Sequence, residues 1–179
     1  MLRNRTKDVK TVTDVSTEPV TLQEVKDFLK VGFVDDDTII TGMISAARQL
    51  LEKQLNISIA PKTLKVAFTH DGCYEYQLPY GPVADVTEAK FKYDAEDTAE
   101  IMTTSYTLIG DDFKQFLGRA GWWTLTYAAG YSAAPDAIKQ GVLKQVAWMY
   151  ENRGDGIGSN QVNQDVLFML SGFNKNAWI

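Results

Sequence analysis

The sequence predicts an α+β fold that is mainly helical, with packed long helices and an inserted antiparallel β segment. Two observations favour it. Apolar residues recur at helical spacing near both ends of the chain, whereas in the middle they alternate with polar residues at a period of two. Long amphipathic helices need partners for their apolar faces, and the simplest solution packs them on each other, with the β segment between them in sequence.

Three helices are predicted, over residues 21–31, 36–56 and 135–153. The first opens with a capping box, because the Thr21 hydroxyl can accept the backbone N–H of Glu24 while the Glu24 carboxylate accepts that of Thr21. Phe28 belongs to the apolar period of this helix, and Ile39 begins that of the second. Both are therefore expected on faces that turn towards the core.

The polar halves of the second and third helices carry residues that we expect to face solvent or a partner chain. Arg48 and Glu52 fall on the polar half of the second helix, and Gln145 and Trp148 on that of the third. Gly141, one heptad before Trp148, leaves a notch beside it. An exposed Trp over such a notch could anchor a partner chain, and burial under the β segment is the alternative.

Residues 63–128 are predicted to form about six short antiparallel strands. Residues 113–117 and 122–127 are expected to pair as a hairpin through Gly118-Arg-Ala-Gly121. Side chains alternate between the faces of a strand, so Trp122 and Trp123 point to opposite faces. One of them then meets a helix, a neighbouring subunit or solvent, unless the sheet is covered on both sides.

Two segments flank the domain formed by residues 19–153. Residues 1–18 show no period and few large apolar groups, which indicates a flexible arm or one that orders only against a partner. Residues 154–179 form a glycine-rich hinge followed by an apolar and aromatic tail. We expect this tail to dock on another protein; the alternative is that it folds back on its own subunit.

Composition excludes several classes of protein. The 179 residues include 18 Lys and Arg, 23 Asp and Glu, one His and one Cys, for a net charge of −5. A mildly acidic chain argues against binding nucleic acid through its phosphates, and a single Cys forms no internal disulfide. The sequence shows neither an apolar run of membrane-spanning length nor the pattern of a secretory signal at its start.

The motifs point to no catalytic, cofactor-binding or metal site. His70 and Cys73 lie in a turn, without a third group to orient them. The acidic runs Asp35–Asp37 and Asp111–Asp112 lack the alternating ligands of a calcium loop; helix capping explains the first and a turn the second. The glycines at 154–158 follow a helix, whereas a phosphate-binding loop follows a strand. We therefore expect no enzyme and no cofactor.

Three stretches between residues 20 and 153 form an ordered set. They are Val20–Leu29 with the Asp35–Asp37 run and the helix holding Arg48 and Glu52, Leu78–Val83 with the strand ending at Tyr93-Asp94, and Leu125–Tyr131 with Pro135 and the helix closing at Trp148–Arg153. In these stretches the chain resembles the head–tail connector (adaptor) proteins of long-tailed bacteriophages.

The resemblance implies a structural virion protein, assembled in the host cytoplasm, that forms a dodecameric ring at the head–tail junction. Its implied partners are identical copies, the portal protein, and a tail or stopper protein, with no membrane involved. DNA would pass through the lumen without sequence-specific binding, and an acidic lumen lets a polyanion slide. Neighbours in a ring meet head to tail, so the two sides of a subunit are complementary but different.

Candidate partner-binding residues, for the portal or a neighbouring subunit, are the apolar and aromatic groups Trp148, Val166, Phe168, Phe173, Trp178 and Ile179. Two alternative functions remain. A tail-completion or stopper protein would stand one ring further from the head. A ligand-binding module would use the aromatic side chains of the β segment as an exposed platform, although binding sandwiches are mostly all-β and lack framing helices.

Overall fold

The computed structural model describes residues 3–94, 96–98, 100–101, 105–154 and 161–174. The chain divides into two compact units, Met1–Ser16 with Pro61–Gly130 and Thr17–Ala60 with Tyr131–Ile179. We call the first the β unit and the second the helical unit. Strands and helices take up nearly equal shares of the described residues, so the prediction of a mainly helical fold is wrong.

The β unit contains eight strands among its described residues. They are β1 (Arg5–Thr13), β2 (Lys62–His70), β3 (Tyr76–Gln77), β4 (Val83–Lys92), β5 (Glu100–Ile101), β6 (Tyr106–Ile109), β7 (Gln115–Gly118) and β8 (Gly121–Ala129). Five form one sheet in the order β1-β2-β8-β4-β5, and three form a second in the order β3-β7-β6. Every pairing is antiparallel.

Aromatic side chains from both sheets build the core of the β unit. Phe116 of β7 packs edge-on against Phe68 of β2 and Trp123 of β8, with ring centroids 5.1 and 4.8 Å apart. Trp123 is buried, whereas Trp122 is half-buried with Lys7 Nζ 5.2 Å from its ring centroid. The two Trp side chains thus alternate as predicted. Six of the twelve aromatic residues of the β unit are buried in this core and two more pack against it, so these eight do not contribute to the exposed platform that a ligand-binding module would need.

The predicted hairpin between residues 113–117 and 122–127 is wrong. β7 pairs with β3 and β6, and β8 pairs with β2 and β4, so the chain passes from one sheet to the other between Gly118 and Gly121. A Cβ at Gly118 would lie 2.7 Å from Phe116 Cζ, and one at Gly121 would lie 2.5 Å from Phe91 Cε2. These glycines admit close aromatic packing rather than a tight turn.

The flexible arm predicted over residues 1–18 is also corrected. Residues 5–13 form β1, which pairs with β2 along its whole length and places Val9 opposite Val66. β1 lies at the edge of its sheet, and every residue in it except Val9 is exposed. An edge strand of this kind buries no alternate side chains, so it carries no period of two that could be read from the sequence.

The helical unit contains α1 (Leu22–Leu29), α2 (Asp37–Leu55), α3 (Asp136–Glu151) and α4 (Gln164–Met169), followed by one turn of 3-10 helix, Ser171–Phe173. α2 packs against α3, and each helix buries apolar side chains, Ile44 in α2 and Val142 in α3 among them. The capping box of α1 is confirmed: Thr21 Oγ1 accepts the Glu24 N–H at 3.2 Å, and Glu24 Oε2 accepts the Thr21 N–H at 2.6 Å. In the part of the chain that the structure describes, no helix is both long and apolar enough to cross a bilayer.

Candidate functional site

The residues predicted to bind partners fall into three groups. Val166 is buried, with 1% of its surface exposed, and Trp148 and Phe173 are half-buried. Phe168 is 85% exposed. Trp178 and Ile179 lie outside the described residues.

α4 packs on α3 and fills the notch that was predicted beside Trp148. A Cβ at Gly141 would lie 2.6 Å from Leu170 Cδ1, so the absence of a side chain there makes room for Leu170. Val166 and Leu170 are both buried. A six-residue helix has little stability alone, so α4 depends on this packing. The segment from 161 to 170 therefore folds back onto its own subunit.

Gln145 of α3 holds the beginning of that segment. Its Nε2 donates to the Gln161 carbonyl at 2.9 Å, and its Oε1 accepts the Asn163 N–H at 2.9 Å. Asn163 in turn caps α4 by accepting the Asp165 N–H at 2.8 Å. Gln145 was expected on a polar, solvent-facing side, but it is fully buried because the backbone of the C-terminal segment satisfies its amide.

Phe168 is presented outwards by these anchors. Residues i and i+4 share one face of a helix, so Val166 and Leu170 point inwards together while Phe168, two residues from each, lies on the opposite face. The helix is already held by Gln145 and by two buried side chains. A partner that covers Phe168 would therefore meet a preorganised surface and would have little chain to order.

A second exposed apolar surface lies where α1 meets α2. This α1–α2 corner consists of Phe28, Phe33, Val34 and Ile39, of which Val34 is 72% exposed. Phe28 and Ile39 fit the apolar period of their helices, which is why the sequence placed them on core-facing sides. The sequence analysis missed this surface, and adjacent apolar residues in the loop, Phe33 and Val34, were the available signal.

Ion pairs and hydrogen bonds hold the α1–α2 corner in place. Lys26, which is buried, donates to the Phe33 carbonyl at 2.8 Å and pairs with Asp37 Oδ1 at 2.5 Å. The Tyr150 hydroxyl donates to Asp36 Oδ2, and this hydrogen bond raises the pKa of Tyr150. Asp36 makes no side-chain hydrogen bond to the first turn of α2, so Asp36 and Asp37 bind neighbouring side chains instead of capping the helix as expected.

His70 and Cys73 belong to a hydrogen-bonded turn, whereas the glycine run at 154–158 lies, from residue 155 onwards, outside the described residues. His70 is buried, and its ring nitrogens contact the backbone of Gly72 and Tyr74. Asp71 accepts the N–H groups of Cys73 and Tyr74, which lowers its pKa. Among the described residues, no group of three or more His, Cys, Asp or Glu side chains is placed to hold a metal ion.

Comparison with known proteins identifies the family. Residues 18–156 match the family model described as head completion protein. The chain belongs to the head completion protein family. The predicted resemblance to phage head–tail connector proteins is therefore confirmed, and the family is one of structural virion proteins. The matched residues of this head completion protein run from α1 to α3 and include β2 to β8, but neither β1 nor α4.

Solved structures share the fold of this head completion protein. A chain in the neck of an empty gene transfer agent particle computed with C6 symmetry aligns with a TM-score of 0.74 at 22% identity, covering 94% of this chain and 95% of that one. A chain in the virion of a native gene transfer agent particle aligns with a TM-score of 0.74 at 21% identity over the same shares. A third, from the neck of a native particle computed with C12 symmetry, gives 0.67 at 20%, again over 94% and 95%. No curated protein sequence matches the chain significantly.

Proposed function

We propose that this head completion protein forms a ring of identical subunits that joins the portal of a DNA-filled head to the tail and leaves a channel for DNA. The family match over residues 18–156 carries this proposal. Chains of the same fold occur in particle necks computed with C6 and C12 symmetry, which supports a ring. The acidic net charge of −5 suits a lumen through which DNA slides without binding.

The contact with the portal is assigned to the C-terminal segment, with Phe168 as its anchor. Large aromatic side chains that become fully desolvated supply much of the free energy of a protein interface. Phe168 is the most exposed of the large apolar side chains in the described part of the chain, and it stands on a helix that is already anchored. Trp148 and Phe173, both half-buried, are proposed as further residues that contact the portal.

A point substitution tests this assignment better than a truncation. Removing the segment from residue 161 onwards would remove both hydrogen-bond partners of Gln145 and leave a cavity where Leu170 packs on Gly141. A truncated chain would therefore lose stability as well as the proposed binding surface. Phe168→Ser changes an exposed side chain and leaves those anchors intact. Tyr74→Ser, at an exposed aromatic in the β unit, is the matched control.

The assay measures binding of each purified variant to isolated portal rings and images the complexes by negative stain. We expect wild type to form rings on the portal and Phe168→Ser to bind about 30-fold more weakly, as the loss of a 2 kcal/mol anchor implies. Tyr74→Ser should bind as wild type does. If wild type stays monomeric in the presence of portal, the proposed ring is wrong. If Phe168→Ser binds the portal as tightly as wild type, the assignment of the contact to Phe168 is wrong.

A further inference from the structure

We propose that neighbouring copies of this chain meet through the two edges of the five-stranded sheet, the basic edge of one copy against the acidic edge of the next. The inference rests on the ring proposed above and adds which surfaces close it. Its basis is a separation of charge that becomes visible only once the strand order is known.

The basic edge is formed by Arg5, Lys7 and Lys10 of β1, the first strand of the sheet. All three side chains are exposed, and Asp8 is the single acidic residue of the strand. Arg5 and Lys10 form no ion pair within the part of the chain that the structure describes. Val12, on the same strand, is 54% exposed, so the edge also offers apolar surface.

The acidic edge is formed by Asp94, Glu96, Asp97 and Glu100, on β5 and the turn that leads to it from β4. All four are exposed. The Asp94 N–H donates to Asp97 Oδ2 at 2.9 Å and the Asp97 N–H to the Asp94 carbonyl at 3.3 Å, which shapes the turn. Ile101, beside Glu100, is 69% exposed. Each edge therefore combines an excess of one sign of charge with an exposed aliphatic side chain.

The two edges of one copy cannot satisfy each other. Four strand spacings of about 4.8 Å separate β1 from β5, so the edges lie about 19 Å apart on opposite sides of the sheet. Complementary but different surfaces on opposite sides of a subunit are what a head-to-tail ring requires. A second copy supplies the opposite charge to each edge.

The contact relies on side chains more than on backbone pairing. The register of β1 shifts between Thr6 and Asp8 and again between Thr11 and Thr13. Such bulges interrupt the row of backbone groups with which a further strand would pair. Charged side chains on an edge strand also prevent aggregation, and charges of either sign do so. Reversing the sign of the charges should therefore leave protection against aggregation intact and disrupt only a contact that depends on complementary charge.

The experiment uses a double variant and a triple variant of the full chain, each of which reverses the charge of one edge. Arg5→Glu with Lys10→Glu makes both edges acidic. Asp94→Lys with Glu96→Lys and Glu100→Lys makes both edges basic and keeps the Asp97 side chain that shapes the turn. Each alone would place like charges at every interface. A 1:1 mixture restores complementary contacts in an alternating ring, and such recovery also demonstrates that both variants are folded. Lys53→Glu with Lys144→Glu, at exposed positions of α2 and α3, matches the charge change of the first variant.

Ring formation on isolated portal is quantified at about 0.15 M salt, where charges within about 8 Å still interact appreciably. We expect each charge-reversed variant alone to form at least tenfold fewer rings than wild type. The mixture should recover to within threefold of wild type, and the control should be unchanged. If either charge-reversed variant alone forms rings at the wild-type level, or if the mixture stays defective, the edge contact is wrong while the wild-type ring stands. Absence of wild-type rings refutes the proposed function instead.

Discussion

Replacement of Arg48 is the substitution that we expect to destabilise the helical unit most. Arg48 is 3% exposed, and its guanidinium binds Glu18 through Nε and Nη2 at 2.7 and 3.2 Å and Glu52 through Nη1 at 3.0 Å. The other oxygen of Glu52 accepts the Ile59 N–H at 2.8 Å. One buried cation thereby connects α2 to the chain segments that precede α1 and follow α2.

The magnitude follows from the charge that is left behind. Arg48→Met keeps aliphatic bulk but leaves the buried Glu52 carboxylate without its cation, which costs about 3–5 kcal/mol of the free energy of unfolding. Glu18 is more exposed and regains water, so most of the loss comes from Glu52. Adding Glu52→Gln removes the stranded charge and keeps an oxygen for the Ile59 N–H. The double variant should therefore recover about half of the loss or more.

Urea unfolding measures the free energies, and hydrogen exchange at the Ile59 amide reports the local contact. Lys53→Met, one turn from Arg48 but exposed, is the control and should change stability by less than about 0.5 kcal/mol. A loss below about 1 kcal/mol for Arg48→Met would refute the reasoning. So would a double variant less stable than Arg48→Met, because Glu52 would then stabilise the fold without its partner.

Three further predictions concern single contacts. The hydrogen bond from the Thr21 N–H lowers the pKa of Glu24, so its stabilisation is present above the ordinary carboxyl pKa and is lost as the pH falls through the lowered one. In urea titrations, Glu24→Gln should lower the free energy of unfolding by about 0.3–1 kcal/mol at pH 7 and by progressively less as the pH falls below the ordinary carboxyl pKa; a cost that does not decrease with pH would contradict this. Tyr127→Phe removes the hydroxyl that donates to the Pro79 carbonyl at 2.6 Å and should lower the free energy of unfolding by about 0.5–1.5 kcal/mol; unchanged stability would show that this bond contributes nothing. Leu170→Ala should lower the free energy of unfolding by about 2–5 kcal/mol, and the amides of α4 should lose their protection from hydrogen exchange before those of the other helices. Unaltered protection of α4 would contradict the anchoring of that segment.

Local signals in the sequence were sufficient for parts of the fold. The capping box at Thr21 and Glu24 involves groups only three residues apart, so its pattern implies its geometry. The opposite orientation of Trp122 and Trp123 follows from the alternation of any strand. In both cases the deciding physics acts between neighbours in the chain.

Features that depend on distant residues could not be predicted. Arg48 and Glu52 are spaced to share a helix face, but that face is buried because Glu18 and the Ile59 backbone, which lies beyond the end of α2, supply its polar partners. Gln145 is buried for the same reason, since its partners lie 16 and 18 residues further along the chain. A polar residue on a helix indicates solvent only when no remote group satisfies it.

The candidate surfaces show the same limit. The sequence indicated apolar mass in the C-terminal segment, yet whether Val166 or Phe168 faces a partner depends on how α4 packs in the notch at Gly141. The charge separation between the sheet edges was even harder to predict from the sequence. Residues 5–10 and 94–100 are basic and acidic in sequence, but only the order β1-β2-β8-β4-β5 makes them the two ends of one sheet. A net charge of −5 describes how the whole chain repels a polyanion at long range, whereas the contact between copies is decided by which charges the topology places on each edge.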